Sequence, residues 1–325
     1  MGMRLNWRTA ASVLGAGGLI VGILTASQGV AAAAPAWHNG AHVCTGTLTS
    51  PGELSGVYGN VIVKGGCAVD DGPVLIRGNL TVEPDGILNA DFGQHGSRFT
   101  VLGNLLVGKN ASVLAGCDTI YITVFVTNGP PQTVPSFPCS DDPNPTAPTL
   151  SSHDVVRGNL IADQALGVVL NNDSVGGSFI EIGGGGDTTC AVSSQNVFGY
   201  VVHSPVYSVI ADSRVGGTVL VNGLNSCYWG MFRVKVGGSV VNTNMTLGDP
   251  DAMEDITNVI HGNLVCLNDT PAVQFGDSDG HPNKVGGHAV GQCAFGVILP
   301  NPAPETGVTN YPVVYQPISV PLYRH

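Results

Sequence analysis

His203, Tyr207, Arg214, Arg233 and Lys235 are the residues whose types could carry proton-transfer chemistry. A β-elimination needs a base for a proton α to a carboxylate and a cation to hold the enolate that forms. His203 and Tyr207 are four residues apart, so one strand would place both on the same side, with Pro205 between them. Arg214, Arg233 and Lys235 would then supply the cations from neighbouring repeats. The same residue types also decorate the solvent face of any sheet, so spacing alone assigns no catalysis.

A second group is acidic. Asp249, Asp251 and Asp255 fall in one short stretch, and Asp277 and Asp279 in another. Oxygen ligands in loops suit Ca²⁺. Neither stretch completes an EF-hand loop or a nonapeptide calcium repeat, and solvated turns give the same pattern. Calcium is the cofactor to expect if there is one.

The elements that would position these groups are repeats. An apolar residue, then Gly-Asn or Gly-Gly, then alternating apolar positions recur down the chain. Examples are Gly59-Asn60-Val61, Gly78-Asn79-Leu80, Gly103-Asn104-Leu105, Gly158-Asn159-Leu160 and Gly262-Asn263-Leu264. The Gly-Gly form appears at Gly176-Gly177, Gly216-Gly217, Gly237-Gly238 and Gly286-Gly287. A period of about 20 to 25 residues built from strand-length runs predicts an all-β solenoid. Leu80 and Val82 should face one side and Thr81 the other. The Gly-Gly copies fit two registers, which exchange inside for outside.

Two intervals are long. From Gly103 to Gly158 there is room for another coil at 121–126 and for a Pro-rich insertion over 129–152. From Gly176 to Gly216 the expectation is two coils, the unmarked one holding Phe198-Gly199-Tyr200. The predicted organisation is a targeting segment over 1–36, one solenoid over 37–298 and an extended Pro-rich tail over 299–325. Arg4 and Arg8, the apolar stretch after them and the small residues around Ala34-Pro35-Ala36 read as a secretory signal peptide. Its removal would leave no membrane span. It would also take the formal net charge from −11 to −13, since Arg4 and Arg8 leave with it and every acid stays. That sign argues against a nucleic-acid partner and leaves a glycan or an extracellular protein surface.

Eight cysteines follow the signal segment, an even number that reads as disulfides in an oxidising compartment. Residues one coil apart stack about 4.8 Å apart, within disulfide reach. Spacing therefore selects Cys44–Cys67, Cys117–Cys139 and Cys266–Cys293 at about one coil each. It also selects Cys190–Cys227 at two coils, or one coil with a loop. No two cysteines are close enough for a Cys-x2-4-Cys zinc knuckle.

The Gly-Asn-Leu-x-Val turns resemble the right-handed parallel β-helix of the pectin-lyase-like superfamily, and also bactofilin repeats. The opening Cys44-Thr45-Gly46-Thr47-Leu48 and the closing Pro282-Asn283-Lys284-Val285-Gly286-Gly287 are similar to secreted actinobacterial proteins. The resemblance implies a right-handed parallel β-helix; repeat arithmetic gives it about ten rungs, and the cysteine spacing staples them. It implies little about activity, because this fold hosts lyases, hydrolases, adhesins and scaffolds. The polygalacturonases of that superfamily carry Asn-Thr-Asp, Asp-Asp, Gly-His-Gly and Arg-Ile-Lys in order. Here Asp70-Asp71 precedes Arg233-Val234-Lys235, Asn242-Thr243-Asn244 comes last, and Gly-His-Gly is missing. The expectation is a non-enzymatic secreted or cell-envelope protein that presents a rigid surface. The alternative is a polysaccharide lyase acting on a uronate-containing glycan.

Overall fold

The computed structural model describes residues 41–124, 132–144, 146–190, 193–197, 200–204, 207–250, 252–274 and 283–295. The predicted targeting segment over 1–36, the predicted tail over 299–325, and Asp251, Asp277 and Asp279 lie outside the described residues.

The protein is all-β, and its strands stack in parallel from one repeat to the next. Each repeat contributes to three columns. In the first, Leu80 sits beside Leu105, Leu105 beside Leu160, Leu160 beside Phe179, Phe179 beside Val219, Val219 beside Val240 and Val240 beside Leu264. The second column aligns Leu88, Val113 and Val168, then continues through Tyr207–Ala211, Tyr228–Phe232 and Met253–Ile256. The third is built from short segments such as Arg214–Val215, Lys235–Val236, Val259–Ile260 and Lys284–Val285. Val61–Ala68 runs on from the first column into the second, so the two form one continuous 17-stranded sheet beside the 9-stranded third.

Alternation decides what is inside. Leu80 and Val82 are buried and Thr81 is half-buried. Val219 and Val221 are buried and Leu220 is half-buried, which fixes the register of the Gly-Gly copies. A fully buried Val or Leu contributes roughly 1.5–3 kcal/mol, and one apolar core cluster extends from Cys44 to Cys293.

The corner before the first column explains the repeat motif. The side-chain oxygen of Asn60 accepts the backbone N–H of Asn79, Asn79 that of Asn104, Asn104 that of Asn159, and Asn159 that of Ser178, each at 2.8 Å. Ser178 Oγ accepts from Thr218, Ser239 Oγ from Asn263 and Asn263 Oδ1 from His288. The second glycine of each Gly-Gly pair thus stands where Gly-Asn has its glycine, and a Ser, Thr or His follows in the asparagine's place. Close approach is what demands glycine here. A Cβ on Gly103 would lie 2.4 Å from Asn79 Oδ1 and 2.6 Å from the Gly78 carbonyl oxygen.

The two long intervals resolve differently from the sequence expectation. Tyr121–Val124 does not form a coil; it pairs antiparallel with Gln132–Pro135. Val155–Val156 then stacks directly on Thr100–Val101, so that interval is one coil plus an outward hairpin. Likewise Ser193–Val197 and Tyr200–Ser204 form an antiparallel hairpin, while Ser174–Val175 stacks directly on Arg214–Val215. The Gly176–Gly216 interval is therefore one coil, not two. The disulfides join Cys44–Cys67, Cys117–Cys139, Cys190–Cys227 and Cys266–Cys293. These are the pairs that spacing selects, and the middle two tie back the two insertions.

Candidate binding cleft

The outer face of the second column carries the chemistry. Its strands twist so that Tyr207 and Tyr228 are register partners, as are Val209 and Gly230, and Ala211 and Phe232. Asn171 aligns with Ala211 one coil earlier. Because Leu170 points into the core, Val169 and Asn171 point outward. Gly230 leaves room for two rings above it: a Cβ there would sit 2.4 Å from the Phe232 ring and 2.8 Å from the Tyr228 ring. Those rings stack at 6.5 Å between centroids with 12° between planes, and Tyr207 meets Tyr228 edge-on at 6.4 Å. Offset and edge-on arrangements are the favourable ones for aromatic pairs. The Tyr228 hydroxyl donates to Glu254.

The first insertion turns this face into a cleft of about 180 Å³. Val169, Val209 and Ala211 form the floor; Tyr207, Phe232 and Phe137 form apolar walls. Ser136, Arg233 and Asn171 supply the polar edge. Arg233 sits at a turn with φ 55° and faces Asp212, whose φ is 52°, one coil before it. Both Nε and Nη2 of Arg233 donate to the Asp212 carboxylate, the second at 2.7 Å, and Nη2 also donates to Ser136 Oγ at 3.2 Å. The pair is mostly buried, with side-chain exposures of 19% and 4%, so its charge is balanced within the protein.

The interior carries further ionisable groups. Glu181, on the inward face, accepts from Ser208 Oγ at 2.8 Å, and burial pushes its carboxyl up to about 7. Asp255 accepts from Asn242 Nδ2 at 2.9 Å and is pushed up to about 7, by burial and then by the nearby Asp269. Asp154 accepts backbone N–H groups from Phe99 and Gly116, yet burial raises it to about 8. Burial and the neighbouring Asp154 also raise Asp173 well above the usual carboxylate range.

The sequence candidates are dispersed by this geometry. His203 and Tyr207 are on different strands: the His203 backbone pairs with Ser194 in the second hairpin, while Tyr207 opens a strand of the second column. Lys235 lies exposed beside Arg214 in the third column, on another sheet. Of the five residues put forward for proton transfer, the cleft brings together only Tyr207 and Arg233. Asp255 faces the interior and is 0% exposed, so it does not join the half-buried Asp249 in a solvent-facing loop. Asp255 does approach Cys266 and Cys293, but those sulfurs are joined to each other.

Sequence reasoning missed Asn171, Phe137, Tyr228 and Phe232. One signal was present: Tyr207 and Tyr228 are 21 residues apart, one coil in this part of the chain. Phe137 reaches the cleft only through the insertion, which no periodicity announces. No protein-family model matches the chain, and neither a curated protein nor a solved structure matches it.

Proposed function

We propose that this chain is a secreted, non-enzymatic right-handed parallel β-helix of about ten coils, of pectin-lyase-like architecture, that presents a rigid surface for binding. The solenoid would span 37–298, with the tail over 299–325 outside it. Secretion is supported by the signal-like composition around Arg4 and Arg8 and by four disulfides. Among the described residues no helix is long and apolar enough to cross a membrane.

One observation carries the non-enzymatic reading. The cation in the cleft, Arg233, is bound by both carboxylate oxygens of Asp212. Stabilising an enolate requires positive charge not already neutralised. The lyase reading retains one favourable fact, the shared cleft of Tyr207 and Arg233.

The assay is absorbance near 235 nm with pectate, alginate or hyaluronan, with and without Ca²⁺. No protein-dependent rise is expected. A rise that disappears in Tyr207→Phe would overturn the proposal in favour of the lyase. Chelation should leave the melting temperature unchanged, because the reading needs no cofactor.

A further inference from the structure

One side chain in the cleft has no structural job. Asn171 is 1% exposed, and neither its Oδ1 nor its Nδ2 has a hydrogen-bond partner among the described residues. A buried amide left this way costs roughly 1–3 kcal/mol, and a side chain of matching shape without polar atoms would avoid that cost. The neighbouring residues at this corner have partners, one Asp173 carboxylate oxygen excepted. The Asn172 amide donates to the Ser152 carbonyl oxygen, and the Asp173 N–H donates to Ser213 Oγ. Asn171 alone sits on the outward face, in the wall of the cleft, with one donor and one acceptor side by side.

We propose that Asn171 is the recognition residue of a binding site for an acetamido sugar, seated in the cleft between the first insertion and the second column. The acetamido carbonyl oxygen accepts from Nδ2, and a ring hydroxyl beside the acetamido group donates to Oδ1; the N–H of a trans amide points away from both. The methyl of an acetamido group then meets the apolar floor of Val169, Val209 and Ala211. The aromatic walls suit the C–H face of a pyranose ring, and the Ser136 hydroxyl at the rim suits its hydroxyls. A peptide amide would offer the carbonyl without the ring hydroxyl for Oδ1 or the ring face for those walls. Size limits the occupant. At about 180 Å³ the cleft is below the roughly 300 Å³ of ordinary small-molecule pockets, so it holds one sugar unit and not a chain of them. The proposal deepens the binding reading above and rests on it in one respect: the sugar is held, not cleaved.

The test is ligand-observed and protein-observed NMR on the full mature chain, titrated with N-acetylglucosamine and N-acetylgalactosamine. Glucose, galactose and an N-acetylated dipeptide amide serve as comparisons. Saturable binding of at least one acetamido sugar is expected, at least tenfold tighter than its parent hexose and than the peptide. Asn171→Leu should weaken binding tenfold or more while the melting temperature stays level or rises, because an unsatisfied amide has been removed. A structural asparagine would lower it. Asn171→Asp, which keeps the shape but turns the donor into an acceptor, should weaken binding by a similar factor. Equal affinity for sugar and parent hexose, preference for the peptide, or full binding by Asn171→Leu would overturn the site and leave the surface reading standing. Cleavage of a glycoside of the bound sugar would instead overturn the non-enzymatic reading.

Discussion

The early coils and the late coils share one backbone plan and differ in what they enclose. At one inward position of the first column the early coils place Val63, Val82, Val107 and Ala162, all fully buried. The same position in later coils reads Glu181, Val221, Asn242 and Cys266. The stacking geometry is unchanged, so backbone hydrogen bonding and the corner ladder carry the architecture. The interior side chain at this position varies between apolar and polar. Glu181 is met in part: Ser208 donates to one oxygen, and the other has no partner. An apolar side chain at this position is indifferent to proton concentration; a buried carboxyl there is not.

The largest expected effect falls on what the two regions share. Gly103→Val should cost more than about 4 kcal/mol, because its side chain would meet both a backbone carbonyl and the ladder asparagine. Gly238→Val should cost a similar amount, since its Cβ would lie 2.7 Å from Thr218 Oγ1 and 2.8 Å from the Gly217 carbonyl oxygen. Chemical denaturation of the two variants checks this. A mild effect at either site would mean that the corner is not the common element.

Exchanging interiors comes next. Val107→Glu should destabilise the early coils by roughly 3–5 kcal/mol at pH 8, because no partner awaits the charge. Glu181→Gln should raise stability at pH 8 and change little at pH 4, since the amide oxygen can still accept from Ser208.

The pH dependence of the parent chain follows from the same groups. Glu181 and Asp255 both titrate higher folded than unfolded, at about 7. Their contribution is therefore full below the unfolded values near 4.5 and 3.8 and is lost as pH rises through about 7. Melting temperature should fall between pH 4 and pH 8. Asp154, raised to about 8, adds a change of the same sign near Phe99 and Gly116. Within the first column, hydrogen exchange should locate the loss at Val219–Asn222 and Leu264–Leu267 before Leu80–Val82. Equal loss at those three strands would remove the distinction drawn between early and late coils.

The smallest effects lie at turns with left-handed backbone. Asn110, at φ 55°, donates to Asp85 from its amide. Asn110→Ala should cost about 1 kcal/mol. Asn110→Gly, which relieves the left-handed backbone while losing the same bond, should cost less. Thermal melts of the two variants check the order.

Much of the coil was legible because alternation and spacing are local properties. Leu80-Thr81-Val82 states its two faces, and the cysteine intervals match the coil length. The Gly-Gly register was also written in the chain, in Gly177-Ser178, Gly217-Thr218 and Gly238-Ser239, but a glycine-centred reading does not look one residue further. Tyr121-Ile122-Thr123-Val124 was misread as a coil for a physical reason. Alternation reports that a strand has two faces, and says nothing about whether its partner runs parallel or antiparallel. Asn171 was hidden by company, standing beside Asn172 and Asp173 in what looks like ordinary turn chemistry.

The two insertions leave the stack and return to it without disturbing its register, since Val155 meets Thr100 and Ser174 meets Arg214 as if nothing lay between them. Cys117–Cys139 closes the first on itself, while Cys190–Cys227 ties the second to the next coil. For the first insertion, framework and exit loop are thus separately heritable parts. A lineage could lengthen, shorten or exchange what stands over the cleft, and so change what it recognises, while the coil beneath is transmitted intact.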